Sequence, residues 1–359
     1  MPNSHYYGLI LAGGRGTRFW PRSRRTSAKQ VLNVIGERSL IQATVDRLAP
    51  IIAPERLWIL TNDYLRDAII RQLPVVPKRQ ILAEPMQRNT APAIGLAARI
   101  LSSFDPDAVM GVFPSDHVIG KPAAYRAVVR SALKGAAEGN LMVVGIQPRW
   151  PETGYGYVEF PRGTKPGSAK PVPVRRFHEK PLLPKARRYV SAGNYYWNSG
   201  MFFWRADVLL DQLRRHLPKT ATVLAALPSF GSRNFMDGLK QAFPLCDNIS
   251  IDYAVLEKAD AVSGIPAGPF GWSDVGSWNA VYELLPRDAC GNAIAPDSIC
   301  LDAHNNFVDA RGKLVALLGV ENLMVVDTPD ALLVADRSRA QQVGDIVKTL
   351  EKRKRDDLL

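Results

Sequence analysis

A glycine-rich loop surrounded by cations is the segment of this sequence best suited to chemistry. Residues Leu9–Arg18 read LILAGGRGTR, so an apolar segment runs directly into three glycines. Glycine has no Cβ and tolerates positive φ, which lets backbone N–H groups approach a ligand closely. The cations around the loop are Arg15, Arg18 and Lys29. These residue types predict a site for a polyanion, for which a nucleoside triphosphate is the natural candidate.

Two better-known phosphate-binding loops do not match this segment. The P-loop requires Gly-Lys-Ser/Thr at a fixed distance, and the Rossmann fingerprint requires a glycine where this chain has Phe19. The alternative is a strand-to-helix turn whose glycines serve only backbone geometry. That alternative is disfavoured because residues 1–36 contain no acid, whereas six bases lie from Arg15 to Lys29.

Two aspartates are candidates for a metal site. Asp116 follows an apolar segment in the motif VFPSDH, and Asp274 lies in the motif WSDVGSW. Mg²⁺ in proteins usually takes one or two carboxylates together with the phosphates of a substrate. Asp116 and Asp274 would therefore share one Mg²⁺ if the fold brings them together. The alternative for Asp116 is a cap of the turn that follows it.

Carboxylate, amide and aromatic groups later in the chain suit a sugar phosphate. Glu179 can accept hydrogen bonds from two neighbouring hydroxyls, and Lys180 can neutralise a phosphate. Pro181 favours an extended backbone at Lys180. The segments Tyr155–Tyr157 and Trp197–Met201 are similar to carbohydrate-facing loops, because aromatic faces and amides suit a pyranose. A surface ion pair at Glu179 and core packing of the aromatic residues are the alternatives.

A polar segment between these motifs combines a turn with the start of a helix. It contains Glu84-Pro85 and, shortly after, Asn89-Thr90. Asn89 or Thr90 is a plausible N-cap for the helix that follows. The functional alternative is recognition of a nucleobase edge, since amide and carboxylate groups can pair with a base through two hydrogen bonds.

Alternating apolar and amphipathic segments must position these residues. Four segments are typical of β-strands: Tyr7–Leu11, Leu57–Thr61, Ala108–Pro114 and Leu141–Ile146. Four others have helical spacing: Leu40–Leu48, Tyr64–Gln72, Ala91–Ser102 and Ala123–Ala137. This βαβα order predicts an α/β fold, a mostly parallel sheet with helices on both faces. Ligands bind at the carboxyl ends of the strands in such sheets, where the glycine loop and Asp116 would lie.

The sequence changes character after Leu285. Short strand-like segments separated by turn residues follow, namely Ser298–Leu301, Leu314–Leu317, Leu323–Asp327 and Ala331–Ala335. We therefore predict a catalytic domain over residues 1–285, a small all-β domain over 286–345 and a charged tail over 346–359. The last residues of that tail, Glu351–Leu359, are expected to fray.

Composition narrows the class of protein. The chain has 359 residues, 46% hydrophobic and 22% charged, as expected for a globular enzyme with one large and one smaller domain. No apolar run approaches the ~18–20 residues that span a bilayer, and the N-terminus is not a secretory signal. Cys246, Cys290 and Cys300 lack the spacing of a zinc site or a disulfide framework, so a reducing cytoplasm fits best. The net charge of +12 is dispersed, which argues against nucleic acid as a partner.

Taken in order, these motifs closely resemble those of bacterial mannose-1-phosphate guanylyltransferases, also called GDP-mannose pyrophosphorylases. The resemblance covers roughly residues 5–340 and is carried by Gly13–Arg18, Lys29-Gln30, Glu84-Pro85, Arg88–Thr90, Pro114–His117, Gly154–Tyr157, Glu179–Pro181, Trp197–Gly200, Ile251–Ala254 and Trp272–Gly276. The motifs RNT, IDYA and WSDVG together are specific to the mannose branch. The resemblance implies a Rossmann-like nucleotidyltransferase domain, a short left-handed β-helix after it and no fused isomerase domain.

The resemblance also implies roles for individual residues. It assigns the triphosphate to Arg15, Arg18 and Lys29, and Mg²⁺ to Asp116 and Asp274, so that the catalytic set is Arg18, Lys29, Asp116 and Asp274. It assigns the nucleotide to Leu11, Gly13, Gly14, Arg15, Gly16, Thr17, Glu84, Pro85, Asn89, Thr90 and Ser115, with Glu84, Asn89 and Thr90 at the guanine. It assigns mannose 1-phosphate to Gly156, Glu179, Lys180 and Asn198.

The implied reaction is a Mg²⁺-dependent transfer of GMP from GTP to mannose 1-phosphate by in-line displacement, giving GDP-mannose and pyrophosphate. A relative that uses another nucleotide or sugar phosphate is one alternative. A non-catalytic sensor of nucleotide sugars is the other, and the presence of Lys29, Asp116 and Asp274 argues against it. A homodimer is left open, and neither nucleic acid nor a membrane is expected as a partner. Ala28 departs from the family, which usually has a proline there that would stiffen the backbone before Lys29.

Overall fold

The computed structural model describes residues 4–168, 170–294 and 298–359. The strands in these residues are β1 Tyr6–Leu11, β2 Leu57–Thr61, β3 Ile81–Ala83, β4 Val109–Pro114, β5 Val118–Ile119, β6 Leu141–Ile146, β7 Tyr157–Glu159, β8 Val172–Pro173, β9 Arg176–His178, β10 Tyr195–Arg205, β11 Val262–Ala267, β12 Trp272–Ser273, β13 Ser298–Leu301, β14 Phe307–Asp309, β15 Val315–Leu318, β16 Leu323–Asp327 and β17 Leu332–Asp336. The α-helices are α1 Leu40–Leu48, α2 Asp63–Gln72, α3 Thr90–Ser102, α4 Pro122–Ala137, α5 Leu183–Ala192, α6 Ala206–His216, α7 Pro218–Ala225, α8 Phe235–Ala242, α9 Trp278–Leu284 and α10 Val343–Lys352.

A mixed central sheet organises the first and larger part of the chain. Its strand order is β3-β2-β1-β4-β10-β6-β11-β8, and β7 pairs with β10 and with β9. Strands β3, β2, β1 and β4 run parallel, whereas β10 is antiparallel to both β4 and β6. Leu11 lies opposite Pro114 at the carboxyl ends of β1 and β4. The glycine loop and the Asp116 loop therefore leave the sheet side by side, as predicted.

Both faces of this sheet are buried. Neighbouring residues of the central strands alternate between two apolar clusters: Leu9 and Val112 belong to one, and Ile10 and Phe113 to the other. Helices α3 and α6 contribute to the first cluster, and helices α1, α2 and α4 to the second. Strands buried on both faces are nearly continuous in apolar residues, and this confirms the predicted α/β fold. It also explains why the predicted ends of the strands in this region differ from the observed ends by at most one residue.

The longest strand corrects one prediction. Trp197–Met201, predicted as a loop, lies inside β10. The register of β10 against β6 shifts between Asn198 and Phe202, and Gly200 has a φ of 70°. The polar and glycine residues thus form a bulge, which bends a strand without reversing the chain. A bulge and a loop share the same residue types, so the sequence alone did not separate them.

The C-terminal part forms a small β domain. Strand β13 pairs in parallel with β15, and β14 pairs in parallel with β16, while β16 and β17 are antiparallel. Parallel pairing of alternate short strands is the arrangement of a β-helix and fits the predicted small β domain. A third apolar cluster, which includes Trp20, Trp278, Phe307 and Met324, joins this domain to the first one.

The segment predicted to fray, Glu351–Leu359, contacts the rest of the chain through Glu351 and Leu358. Residues Val343–Lys352 form α10, and Asp356–Leu358 form a 3₁₀ turn. Val343 and Val347 are buried in the third apolar cluster, and Trp20 Nε1 donates to the Leu358 carbonyl at 3.0 Å. The segment is rich in charge but carries an apolar stripe, and burial of that stripe holds it in place. No helix within the described ranges is long and apolar enough to cross a bilayer.

Candidate active site

The glycine loop is held in place by side chains that turn towards its carbonyls. Gln30 Nε2 donates to the carbonyls of Ala12 and Gly14 at 2.7 and 3.0 Å, and Ser23 Oγ donates to that of Gly16 at 2.8 Å. Gly16 has a φ of 61°, and a Cβ there would lie 2.7 Å from the Cβ of Lys29. Glycine is therefore needed at position 16 both for its backbone conformation and for the close approach of Lys29.

Lys29 lies at the centre of the site. Its side chain is buried, and its Nζ donates to Asp116 Oδ2 at 2.9 Å and to the Asp274 carbonyl at 2.6 Å. One ammonium thus joins three segments that are far apart in the sequence. Ala28 has a φ of −73°, which lies within the range of proline, so the departure at this position leaves the backbone path before Lys29 unchanged.

The electrostatics around Asp116 favour its charged form. Burial raises the pKa of the Asp116 carboxyl, but the charge of Lys29 and the hydrogen bond from it outweigh burial and hold that pKa below its usual value. Burial lowers the pKa of the neighbouring His117 to about 4. His117 Nδ1 lies 3.2 Å from Trp272 Nε1, which donates to it. The neutral imidazole therefore ties the Asp116 loop to β12, the strand that precedes Asp274.

The second aspartate is positioned by pairing between short strands and by a strained backbone. Strand β12 pairs with β5, which brings the loop of Asp274 beside the loop of Asp116. Tyr155 Oη donates to Asp274 Oδ1 at 2.6 Å. The next residue, Val275, has a φ of 45°, a conformation that β-branched residues rarely adopt and that marks strain. The structure therefore brings the two predicted aspartates to one site although they are distant in sequence.

The donor chemistry at this point suits a hard divalent cation. Both aspartates offer carboxylate oxygens, the ligands that Mg²⁺ prefers. No group of three or more His, Cys, Asp or Glu side chains in the part of the chain that the structure describes is arranged to hold a metal. The magnesium prediction therefore rests on two carboxylates, Asp116 and Asp274, with substrate phosphates as the further ligands.

The two predicted phosphate-binding arginines contact the C-terminal segment, which sequence reasoning missed. Arg15 pairs with Glu351 of α10 at 2.5 Å, and Arg18 donates to Gln341 Oε1 at 2.7 Å. The hydrogen bond from Arg15 lowers the pKa of the Glu351 carboxyl. Both arginines lie at the glycine loop, as predicted, and the C-terminal segment contacts both of them. The helix-like apolar spacing of Val343, Val347 and Leu350 was the signal that could have predicted a docked helix here.

The predicted nucleotide residues line adjoining cavities at the carboxyl ends of β1 and β3. One cavity of about 480 Å³ is lined by Leu11, Gly13, Gly14, Glu84, Asn89 and Thr90, among others. A second, of about 530 Å³, is lined by Gly14, Arg15, Thr17, Glu84 and Pro85, and also by Glu351 of the C-terminal helix. Ser115 is buried beside them, and its N–H donates to the Leu11 carbonyl at 3.2 Å. The structure therefore brings these predicted residues to one region.

Glu84 is the unusual group of that region. Its Oε1 is buried and has no hydrogen-bond partner among the residues described, and burial raises the pKa of its carboxyl to about 8. A Cβ on Gly13 would lie 3.4 Å from Glu84 Oε2, so the carboxyl faces the glycine loop. A buried acceptor without a partner destabilises the fold, and a hydrogen-bond donor of a ligand would satisfy it.

Asn89 and Thr90 have structural roles in this state. Asn89 caps α3, with its Oδ1 accepting from the Thr90 N–H at 2.9 Å, which confirms one of the two predicted caps. Its φ of 62° is another left-handed conformation at the site. Thr90 Oγ1 accepts from the Ile251 N–H at 2.9 Å. Thr90 therefore connects the predicted base site with the segment that contains Asp252.

The predicted sugar-phosphate residues also meet in space. Gly156 packs so closely that a Cβ on it would collide with Glu179 Oε2 and lie 3.3 Å from the Cβ of Asn198. Glu179 Oε1 accepts from Lys180 Nζ at 2.7 Å, whereas its Oε2 is buried without a partner among these residues. Lys180 has a φ of 45°, so the expected extended backbone was wrong. The left-handed turn lets its ammonium fold back onto the carboxylate that precedes it.

Asp252 is a further residue of this cluster that sequence reasoning missed. Its Oδ1 accepts from Asn198 Nδ2 at 3.0 Å, and burial together with the charge of Glu179 raises the pKa of its carboxyl to about 7. Asp252 lies in the motif IDYA, whose residues received no role from the sequence. A carboxylate inside one of the motifs that carry the family resemblance was the available signal.

Comparisons with known proteins agree with this geometry. Residues 7–289 match the nucleotidyl transferase family, and residues 297–350 match the MannoseP isomerase/GMP-like beta-helix domain. The xanthan biosynthesis protein XanB of Xanthomonas campestris pv. campestris (strain B100) is 42% identical over 348 residues, which are 96% of this chain and 73% of XanB. The mannose-1-phosphate guanylyltransferase of Klebsiella pneumoniae is 39% identical over 355 residues, 97% of this chain and 74% of that protein.

A solved structure shares the whole architecture. The Thermus thermophilus protein described as a mannose-1-phosphate geranyltransferase superposes with a TM-score of 0.85 at 34% sequence identity. The superposition covers 97% of this chain and 99% of that one. The likeness therefore extends over both the α/β domain and the small β domain.

Proposed function

Because this chain belongs to the nucleotidyl transferase family, and within it to the mannose-1-phosphate guanylyltransferases, we propose that it transfers GMP from GTP to mannose 1-phosphate. The products are GDP-mannose and pyrophosphate. The observation that carries the proposal is the buried Lys29 ammonium, which contacts Asp116 and Asp274 directly beside the glycine loop. That arrangement suits phosphoryl-type transfer, where positioning and neutralisation of charge supply most of the catalysis.

The reaction is a single displacement at phosphorus. A phosphate oxygen of mannose 1-phosphate forms a bond to the α-phosphorus of GTP, and the bond from that phosphorus to the bridging oxygen of the β-phosphate breaks. The electron pair of that bond leaves with pyrophosphate. Backbone N–H groups of the glycine loop bind the phosphates, while Arg15, Arg18 and Lys29 neutralise the charge that develops on the leaving group.

Asp116 and Asp274 are the residues that would hold Mg²⁺ together with substrate phosphates. When bound, Mg²⁺ would supply neutralisation of the phosphate charge and orientation of the reacting groups. Tyr155 holds one oxygen of Asp274, and Lys29 holds one oxygen of Asp116, so both carboxylates are oriented by the protein itself. This preorganisation limits the reorganisation that binding requires.

Selection of the base is proposed for the carboxyl of Glu84. The Watson–Crick edge of guanine offers a ring N–H and an amino group side by side. Burial alone favours the protonated form of Glu84, but these two donors favour the ionised form, which accepts from both. Adenine presents a ring acceptor at the corresponding nitrogen, which would leave the ionised Glu84 carboxyl unpaired. Glu84 Oε1 is buried without a hydrogen-bond partner in the described part of the chain, which supports this assignment, because a site of this kind rejects the wrong ligand through its own unpaired groups.

The sugar phosphate is proposed for the neighbouring cluster of Gly156, Glu179, Lys180 and Asn198, where carboxylate and amide groups suit hydroxyls and the lysine suits a phosphate. We propose the cytoplasm as the compartment, a choice supported by the free thiols of Cys246, Cys290 and Cys300.

A panel of nucleotides and sugar 1-phosphates tests the proposal by pyrophosphate release with Mg²⁺. We expect GTP with mannose 1-phosphate to be the preferred pair, and Glu84→Ala and Asn89→Ala to reduce the preference for GTP over ATP. Glu55→Ala, in an exposed turn, is the matched control. A different preferred pair would identify a relative with another specificity, and no turnover with any pair would favour a binding protein instead.

A further inference from the structure

Asp252 begins a distorted helical turn that points to a special requirement at this position. Residues Asp252–Leu256 form a π-helical turn, and Ala254, Val255 and Leu256 are buried in the core. Turns of this type are rare and occur frequently at functional sites. The residue before it, Ile251, is tied to Thr90 Oγ1 by its N–H. Core packing on one side and this hydrogen bond on the other fix where Asp252 lies.

The contact of Asp252 determines the orientation of Asn198. The Asn198 amide donates through Nδ2 to Asp252 Oδ1 at 3.0 Å, and its Oδ1 accepts from the Gly200 N–H at 3.1 Å. Both ends of the amide therefore have a partner: a carboxyl oxygen at Nδ2, and at Oδ1 a backbone N–H that can only donate. Asn198 is the last residue of β10 in register with β6 before the bulge, and these two hydrogen bonds fix the orientation of its side chain.

The same cluster carries more acceptors than the described residues supply donors. Glu179 Oε2 is buried without a partner, and Asp252 lies close enough to Glu179 for the two carboxyls to repel each other. Lys180 neutralises the other oxygen of Glu179 from the exposed side. A sugar brings several hydroxyl donors, which is the chemistry that would satisfy these acceptors.

We propose that Asp252 is a positioning residue for the sugar: it holds the Asn198 amide in the orientation that a sugar hydroxyl meets and so determines affinity for the sugar 1-phosphate. This inference rests on the proposed function and deepens it. The residue acts through an acceptor oxygen, and an asparagine at position 252 retains such an oxygen. A leucine has a similar size and lacks it. The two substitutions therefore separate the hydrogen bond from the volume of the side chain.

The test is steady-state kinetics of Asp252→Leu and Asp252→Asn, with each substrate varied in turn. We expect Asp252→Leu to raise the KM for mannose 1-phosphate by at least about tenfold, with kcat and the KM for GTP within about twofold of the wild type. Asp252→Asn should recover most of the affinity. In the Asn198→Ala background, Asp252→Leu should have little further effect, because it would act on a side chain that is already gone.

Asp260→Leu, at an exposed position of the segment that follows, is the matched control, and thermal melts show whether each variant folds. Three results would each overturn the inference. Asp252→Leu could raise the KM for both substrates equally, or Asp252→Asn could fail to restore the affinity. The effects of Asp252→Leu and Asn198→Ala could also simply add. If Asp252→Leu does not fold, Asp252→Ala, which also lacks the acceptor oxygen, replaces it in the same KM comparison. An inactive wild type overturns the proposed function itself, whereas an active wild type with an unchanged Asp252→Leu variant overturns only this inference.

Discussion

The two halves of the candidate site offer a ligand opposite kinds of chemical groups. The nucleotide half, made of residues 11–18, Lys29 and residues 84–90, combines glycines with cations and one isolated carboxyl. The sugar half, made of residues 155–157, 179–180, 198 and 252, combines two carboxyls and an amide with a single exposed lysine. A triphosphate requires positive charge and backbone N–H groups, whereas hydroxyls require acceptors. Under the proposed function each half is the complement of one substrate, so we expect a substitution in one half to leave the other substrate's affinity nearly unchanged.

The largest expected effect comes from the residues at which the two halves meet. Asp116→Asn and Asp274→Asn should each lower kcat by about two to three orders of magnitude, because both carboxylates are proposed to hold one Mg²⁺ and the loss of about 4 kcal/mol corresponds to roughly 10³ in rate. Pyrophosphate release at saturating concentrations of both substrates measures kcat for each variant.

The double variant is the sharper measurement. Ligands of one ion act as a unit, so Asp116→Asn with Asp274→Asn should be little slower than either single variant. Asp302→Asn, at an exposed position of the small β domain, is the control. Near-normal turnover of Asp274→Asn, or losses that multiply in the double variant, would contradict a shared metal.

The sugar half alone should respond to Glu179→Gln. The amide of glutamine has one acceptor oxygen and one donor nitrogen, so the substitution removes a pair of charge-assisted acceptors. We expect this to weaken binding of the sugar phosphate by about 1.5–3 kcal/mol. The KM for mannose 1-phosphate should rise about 10- to 100-fold, while the KM for GTP stays within about twofold. Kinetics with each substrate varied in turn measure both KM values. An equal rise in both would contradict the assignment of one substrate to each half.

The nucleotide half should show its isolated carboxyl in the pH dependence of stability. The pKa of Glu84 is raised to about 8, so the folded protein holds a proton that the unfolded chain releases at lower pH. This group therefore makes folding less favourable as pH rises from about 4.5 to 8, by at most ~1.4 kcal/mol per pH unit, and adds nothing further above that range.

Glu84→Gln removes that titration. Urea unfolding between pH 5.5 and 8.5 should show that the free energy of unfolding of the variant increases relative to that of the wild type as pH rises. Glu37→Gln, in an exposed turn, is the matched control. A difference between Glu84→Gln and wild type that is independent of pH would mean that the carboxyl is better solvated than its surroundings indicate.

The smallest expected effect lies at the contact between the nucleotide half and α10. Glu351 pairs with Arg15, and the triphosphate would have to compete for the same guanidinium. Exposed ion pairs contribute little, so Glu351→Gln should lower the KM for GTP only a few-fold, with no change in the KM for mannose 1-phosphate. Glu321→Gln, an exposed residue of the small β domain, is the control. A higher KM for GTP in Glu351→Gln would instead mean that Glu351 helps to orient Arg15.

The same contrast explains how far the sequence could predict the molecule. The nucleotide half follows central strands whose apolar residues are continuous, and its glycines lie directly at their ends. Strand bounds and the position of the glycine loop were therefore readable from local sequence. The sugar half is assembled from a bulge at Asn198, a left-handed Lys180 and the π turn of Asp252. These features arise from tertiary packing, and no local pattern specifies them.

The contact of α10 with the glycine loop also has a consequence for the order in which the chain is made. Arg15 and Glu351 are 336 residues apart, and Arg18 and Gln341 are 323 apart. At the usual rates of synthesis, roughly 15 to 70 s pass between the appearance of the loop and that of its cover. During that interval the nascent chain can already form the parallel strands of its central sheet while two arginines of the loop lack these partners. A nucleotide present at the ribosome would then meet the loop before α10 does.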